Sequence, residues 1–373
     1  MTYFLFFSSI TLGFLFKKSK AVSAYILSAM YLLAAFNYYN ADYYSYTLSY
    51  ANAAGYRFNF RYIGYSMFVH FFSSRGITYS QYLKIAFVPI FLILFVTICI
   101  LTDRPNPVLA LFLVFPFGID VIQLKAFYSE MFGLLGIALL LDGITKELKH
   151  NPNYRYVLSV VFFALSVLFH FSGLFYFLAA LLFCLFRNKQ WFSKAICLMS
   201  IVGLGAVLSG VLGKVMSIAG SLGVISEVEY LSSFASRSTR FGFILTFIPV
   251  VLMVSASWLI IQPSSDNIND RKQQIIRQFM LTGLLILPLL VMHIVYDRLA
   301  RIYLILMYSL FADVPKPNRV TIKQFLAYTM CFLAIVCFFF IDIYPSLEGT
   351  LLAILDNSEL FDLSLYTCFS ICL

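Results

Sequence analysis

The sequence has little charge. Of its 373 residues only 12% are Asp, Glu, Lys or Arg, whereas 61% are hydrophobic and 18% are aromatic. A soluble domain carries roughly 25% charged residues, so this chain lacks the charge needed to cover a water-facing surface. The scarcity of charge excludes an ordinary soluble protein.

The sequence also lacks cysteine spacings that bind metals or form disulfide frameworks. Its seven cysteines are scattered, and no CxxC or Cys/His pattern occurs. We therefore expect no metal site and no cofactor. No internal repeat, low-complexity linker or soluble domain stands out. The net charge of +9 is interpreted as a bias between loops rather than as a nucleic-acid surface.

Long apolar runs fill the rest of the chain. Most are about long enough to cross a ~30 Å hydrocarbon core as a helix. They predict an all-α, polytopic transmembrane bundle of about 12 spans, forming a single integral membrane domain over residues 1–373. The basic residues of "MTYFLFFSSITLGFLFKKSK" follow the apolar run, the reverse of a signal peptide, so this run predicts a first span. Helices are predicted near 2–16, 21–37, 79–101, 107–120, 126–143, 156–170, 172–186, 195–213, 241–262, 278–296, 299–312 and 324–343.

The distribution of basic residues predicts the topology. When the short apolar stretch 62–73 is treated as interfacial, alternate loops on one side hold 16 of the 26 Lys and Arg. The positive-inside rule makes these loops cytoplasmic. Both termini, the segments 38–78 and 214–240, and the tail 344–373 are then periplasmic, with the tail as a surface segment.

Polar groups gather on the predicted periplasmic side. His170 ends a span in "VLFHFSGLFYF", and Lys125 lies between two helices in "GIDVIQLKAFYSEMF". Glu130 follows Lys125 by five residues, which turns a helix by ~140°, so the two do not pair on one helix face. A carboxyl buried in this way needs a partner on another helix.

A second group of charges lies in "HIVYDRLARIY". If this stretch is helical, His293, Asp297 and Arg301 share a face. Arg298 and Arg301 are two guanidiniums for one Asp, which leaves one to bind phosphate in bidentate fashion. The alternative without a ligand is a structural ion pair, or arginine side chains that extend to the lipid headgroups.

The two long periplasmic segments add further candidates. Segment 36–68 holds Asp42, Arg57 and Arg61 among at least nine tyrosines, which suit either an interfacial aromatic belt or stacking on sugar rings. Segment 214–240 supplies Glu227, Glu229, Arg237 and Arg240, which also fit a solvated loop.

The order of these motifs resembles the bacterial polysaccharide polymerases of the EpsG-like and Wzy type. Three pieces carry the resemblance: Asp42 with Tyr43, Tyr46 and "YIGYSMF"; "LKAFYSEMFGLLGIALL" followed by "FHFSGL"; and "YDRLARIYLI". Together they cover about 36–312. Lys125 and Ala126 stand where the family usually has Arg-Gln, which keeps the charge but loses the bidentate fork.

The resemblance implies a membrane-embedded glycosyltransferase of the C type in the bacterial inner membrane. It would transfer a growing glycan from undecaprenyl diphosphate onto a lipid-linked repeat unit at the periplasmic face, by inversion and without a metal. A flippase and a chain-length regulator of the same pathway are the implied partners, together with membrane lipids.

The expected roles fall into three groups. The base for the acceptor hydroxyl is His170, Asp42 or Glu130, which the sequence does not rank. Diphosphate binding is expected of cations: Arg298, Arg301, Lys125, Arg237 and Arg240. Glycan binding or support is expected of Arg57, Arg61, Tyr43, Tyr46 and Asp297.

Two other functions remain open. A flippase for lipid-linked oligosaccharides would also bind diphosphate, but it would place charges along a central cavity. A membrane O-acyltransferase would also use a membrane-embedded His, but it would need a route to an acyl donor on the cytoplasmic side.

Overall fold

A computed structural model describes residues 1–53, 62–146, 153–209, 242–260, 268–292, 294–314 and 321–359. Within these ranges the secondary structure is helical, apart from one isolated bridge between Asn37 and Ser358. The all-α prediction is confirmed for the described residues.

Seventeen α-helices lie in the described ranges: α1 Thr2–Leu15, α2 Lys20–Ala35, α3 Tyr43–Asn52, α4 Ile63–Ser73, α5 Tyr79–Leu101, α6 Pro105–Val114, α7 Phe117–Ile122, α8 Leu124–Lys146, α9 Asn153–Phe169, α10 Ser172–Phe186, α11 Phe192–Leu208, α12 Gly242–Ile260, α13 Ile268–Met280, α14 Ile286–Met292, α15 Leu299–Asp313, α16 Ile322–Phe338 and α17 Leu351–Asp356. Short 3-10 segments occupy Leu281–Leu285, Ile294–Arg298 and Tyr344–Gly349, and a π-turn occupies Phe339–Ile343.

Several of these helices suit a membrane by length and composition. In the described part of the chain, four stretches are long and apolar enough to cross one: Tyr79–Leu101, Leu124–Lys146, Asp270–Val291 and Ile322–Ile343. Seven further apolar helices have 10–17 residues. The chain therefore has the character of a helical membrane protein, while the number of about 12 spans stays a prediction.

Local sequence explains where two of the long helices begin. Thr78 caps α5 and Thr321 caps α16, each through a reciprocal capping box with a Gln three residues later. The pair satisfies backbone N–H groups that the first turn leaves without partners.

Several elements differ from the prediction, and α3 is a helix where none was predicted. The helix expected over 107–120 breaks at Pro116 into α6 and α7, because proline restricts the residue before it and lacks an N–H. The polar stretch 268–277, predicted as loop, is the start of α13: this helix is amphipathic, and Ile275, Ile276 and Phe279 are buried. The tail was predicted as a surface segment, and this is wrong for α17, which is largely buried, whereas Tyr344 is 60% exposed.

The chain forms two compact units. Unit 1 contains Met1–Phe177, Phe311–Asp313 and Asp342–Leu373, and unit 2 contains Leu178–Leu310 and Val314–Ile341. The prediction of a single integral domain stays a prediction.

Hydrogen bonds group the loops of unit 1 at two ends. At the first, the basic-loop end, Asn106 Nδ2 donates to the Ser19 carbonyl at 2.9 Å, and Thr102 Oγ1 donates to Asp313 Oδ1 at 2.5 Å. Residues 16–20, 102–106 and 312–313 therefore lie together. The charge count predicts the same grouping of these loops.

The second end, the tyrosine end, collects residues 36–43, 79–84 and 349–359. The Ala41 N–H donates to the Gly349 carbonyl at 2.8 Å, and Lys84 pairs with Glu359 at 2.8 Å. The start of α1 also belongs here, because Thr2 Oγ1 donates to the Leu355 carbonyl. Which end faces the cytoplasm stays a prediction.

Candidate functional site

His170 lies in the turn between α9 and α10, and its own ring organises that turn. The ring Nδ1 accepts the Ser172 backbone N–H at 3.2 Å and lies 2.9 Å from Ser172 Oγ. Because Nδ1 accepts a hydrogen bond, the proton of a neutral ring is on Nε2. His170 therefore helps to cap α10 and can present Nε2–H as a donor.

Three serines fix this turn against α8. Ser129 Oγ lies 3.1 Å from Ser166 Oγ and 3.3 Å from Ser172 Oγ, and it also contacts the His170 carbonyl at 3.3 Å. Gly173 permits the close approach of α10 to α9, because a Cβ on this residue would lie 2.4 Å from the Ser166 backbone carbon. We call residues 169–173 the His170 elbow.

Lys125, near the start of α8, contacts aromatic rings at the tyrosine end. Its Nζ lies 4.4 Å from the centroid of the Tyr62 ring and 5.5 Å from that of Tyr46. These distances are within the range of cation–π attraction. The residue is half-buried.

The rings beneath Lys125 belong to a larger set that we call the tyrosine cluster. Ring pairs 5.0–6.4 Å apart join its members in two sets, Tyr46, Tyr62 and Tyr65 in one and Tyr43, Tyr50, Tyr79 and Tyr82 in the other. The hydroxyl groups of Tyr65 and Tyr82 interact and so connect the two sets. Tyr50 donates its hydroxyl to the Ile77 carbonyl at 2.9 Å. Burial raises the pKa of Tyr50 to about 12, so this phenol stays protonated and continues to donate.

The tyrosine cluster and the His170 elbow meet along one face of α8. Lys125 and Ser129 are four residues apart, so they share a helix face and are separated by about 6 Å along the axis. Ser129 contacts the elbow, and Phe169 of the elbow packs on Tyr128 with ring centroids 4.9 Å apart. Gly64 of α4 lies close to Leu168, which precedes the elbow. The start of α4, which follows Tyr62, is therefore also near the elbow.

The other two candidate bases lie in different surroundings. Glu130 is 1% exposed, and the prediction that it does not pair with Lys125 on one face of α8 stays a prediction. Asp42 is half-buried and precedes α3, where the Tyr46 N–H donates to its carbonyl at 3.0 Å. Asp42 is therefore one helical turn from a ring that contacts Lys125.

The remaining predicted cations are in unit 2 or outside the described residues. Arg298 is half-buried and immediately precedes α15, whereas Arg301 is 2% exposed. Asp297 and Arg298 lie in a 3-10 segment, so the four-residue α-helical register expected from residue 293 to Arg301 is not continuous. Four residues predicted for binding lie outside the described ranges: Arg57, Arg61, Arg237 and Arg240. Glu227, Glu229 and His293 also lie outside them.

The described residues contain no group of three His, Cys, Asp or Glu side chains placed to hold a metal ion. No protein-family model, curated protein or solved structure matches the chain. The chemistry of the site is therefore argued from its geometry.

That geometry includes residues that the sequence analysis missed. Ser129, Ser166 and Ser172 position the elbow, and Tyr62 is the ring closest to Lys125. One signal was available for Ser129, since it follows Lys125 by one helical turn. Nothing in the sequence pattern links Ser129 to Ser166, which is 37 residues away.

Proposed function

We propose that this protein is a membrane-embedded glycosyltransferase that polymerises lipid-linked oligosaccharides. It moves a growing glycan from undecaprenyl diphosphate onto the next lipid-linked repeat unit. The observation that supports this proposal is the position of the Lys125 ammonium, which lies against Tyr46 and Tyr62 beside the His170 elbow. A cation held against aromatic rings suits a diphosphate, and partly exposed tyrosine rings suit a sugar.

In the proposed reaction the acceptor hydroxyl oxygen attacks the anomeric carbon of the glycan. The bond between that carbon and the diphosphate oxygen breaks, and the electron pair leaves with the lipid diphosphate. Lys125 stabilises the charge that develops on this leaving group, in the way that preorganised cations lower such barriers. The configuration at the anomeric carbon inverts in this single displacement.

The proton of the acceptor hydroxyl must pass to a base. Nδ1 of His170 already accepts the Ser172 N–H, so the neutral ring offers Nε2–H, which suits a donor to phosphate oxygen rather than a base. Asp42 is one turn from Tyr46, and we assign it the role of base. Glu130 is buried on another face of α8 and has no direct role in this scheme.

The proposal includes an orientation in the bacterial inner membrane. The tyrosine end of unit 1 faces the periplasm and the basic-loop end faces the cytoplasm, with both chain termini periplasmic. The support is the excess of Lys and Arg in the loops of the predicted cytoplasmic side. The roles of Arg298 and Arg301 as diphosphate ligands stay predictions from the sequence.

Deletion of the gene, followed by electrophoresis of the surface polysaccharide, tests the function. A polymerase deletion removes the ladder of long chains and leaves a single repeat unit on the surface. Loss of the single unit as well would contradict the proposal and favour a flippase. An intact ladder that has lost acyl groups would favour an acyltransferase.

A further inference from the structure

Unit 2 contains an open apolar groove of about 490 Å³. Its lining comes from α11, α12, α16 and the span Asp270–Val291, and includes Ser193, Val254, Trp258, Leu259, Leu281 and Met330. A groove of this volume is in the range that accommodates small ligands, and its lining favours a hydrocarbon chain.

The groove lies among side chains that suit lipid. Val251 on α12 is 43% exposed and Leu326 on α16 is 43% exposed. Leu326 precedes Met330 by one helical turn, so the two share a face. Apolar side chains exposed on helices of this class face the acyl chains of a bilayer, and the groove is therefore accessible to lipid.

A cation lies at one end of this apolar surface. The guanidinium carbon of Arg277 is 4.6 Å from the centroid of the Trp258 ring. Arg277 precedes Leu281 by four residues and so lies over the same face. Lys194, next to Ser193, is exposed and adds a second cation to this end.

The charge of this region is net positive. α13 carries three basic residues and one acidic residue, and its N-terminal end belongs to the loops predicted as cytoplasmic. Basic pockets between membrane helices on that side bind anionic headgroups, because the cytoplasmic leaflet carries the anionic lipids. An apolar groove that ends at cations matches an acyl chain joined to a phosphate.

We propose that this groove binds an anionic phospholipid from the surrounding membrane. One acyl chain lies between Val254, Leu281 and Met330, and the headgroup phosphate lies at Arg277 and Lys194. The site does not depend on the glycosyltransferase proposal.

The two tryptophans of the chain allow a direct test. Trp191→Phe leaves Trp258 as the sole indole, within the groove. This variant is reconstituted in phosphatidylcholine vesicles, and its fluorescence is measured as brominated phosphatidylglycerol or brominated phosphatidylcholine is added. We expect phosphatidylglycerol to quench at low mole fraction and to saturate, with a preference of about fivefold, the factor that one cation near an anionic surface contributes.

The matched control is Trp258→Phe, which reports from Trp191, an exposed residue that does not line the groove. Its preference for phosphatidylglycerol should be smaller than that of Trp258, because Trp191 does not line the groove. Arg277→Gln on the Trp191→Phe background should remove the preference, and Arg277→Lys should keep part of it. Equal quenching of Trp258 by the two lipids would overturn the proposal. So would recovery of fluorescence by unlabelled undecaprenyl phosphate at lower concentration than unlabelled phosphatidylglycerol.

Discussion

Replacing Gly173 by Ala should loosen the His170 elbow. The added Cβ would lie 2.4 Å from the Ser166 backbone carbon and the Val167 backbone nitrogen, and 2.5 Å from Ser166 Oγ. Since two of these three atoms belong to the backbone of α9, no side-chain rotation relieves the clash. α9 and α10 would have to move apart, and the hydrogen bonds of Ser129 would lengthen.

The expected cost combines two opposing effects. Overpacking of a tight contact costs about 1–3 kcal/mol, whereas alanine in a helix gains up to ~1 kcal/mol over glycine. A net loss of about 1 kcal/mol should lower the apparent melting temperature by roughly 1–2 °C, because the unfolding entropy of about 2.1 cal/mol/K per residue is large for a chain of this length. Because the elbow carries His170, polymerisation should also fall.

Gly205→Ala is the matched control, since it makes the same substitution in α11 where no atom lies within 4 Å of the added Cβ. Its melting temperature should stay the same or rise. Both variants are heated in detergent, and the fraction that stays monodisperse is measured by size-exclusion chromatography. A Gly173→Ala protein as stable and as active as the wild type would refute the packing of this elbow.

Three further outcomes follow from the same geometry. His170→Asn keeps an acceptor for the Ser172 N–H but loses the donor that replaces Nε2–H, whereas His170→Gln keeps such a donor. The Gln variant should therefore retain more polymerase activity. Higher activity in the Asn variant would mean that His170 serves only as a helix cap. In a protein without native cysteines, Ser49→Cys at the tyrosine end should react with an impermeant thiol reagent in intact cells, and Asp103→Cys at the basic-loop end should react only after lysis; the opposite pattern would invert the topology. Arg298→Lys keeps the charge but loses bidentate geometry, so activity should fall sharply at unchanged expression, and normal polymer length would remove Arg298 from the site.

The helices could be predicted from the sequence because an apolar run has few alternatives in a membrane protein. Most predicted ranges match, as for α5, predicted and observed over 79–101. The helix prediction failed where a high local charge masked the helical spacing of apolar residues. The charges of 268–277 suggested a loop although the buried side chains of α13 repeat with a helical period.

Individual residues of the candidate site could be predicted from the sequence, but the contacts between them could not. Lys125 and His170 were selected by their charge and their place at helix ends, but their proximity depends on packing between α8 and α9. Ser129 and Ser166 join these helices through hydrogen bonds that no periodicity encodes. The tail was misjudged for the same reason, since its pairing with Asn37 and Lys84 joins segments more than 270 positions apart.

The most direct test of the proposed site compares Lys125→Gln with Lys84→Gln. Both lysines are at the tyrosine end and both contact an aromatic ring, but Lys125 is on the face of α8 that Ser129 joins to the His170 elbow, whereas Lys84 is on α5. Purified protein is assayed for polymer formed from a synthetic undecaprenyl-diphosphate repeat unit. We expect Lys125→Gln to lose at least about 100-fold in rate, the scale for removal of one group that stabilises transition-state charge, while Lys84→Gln stays within a few-fold of the wild type. Equal activity in the two variants would contradict the assignment of the diphosphate to Lys125.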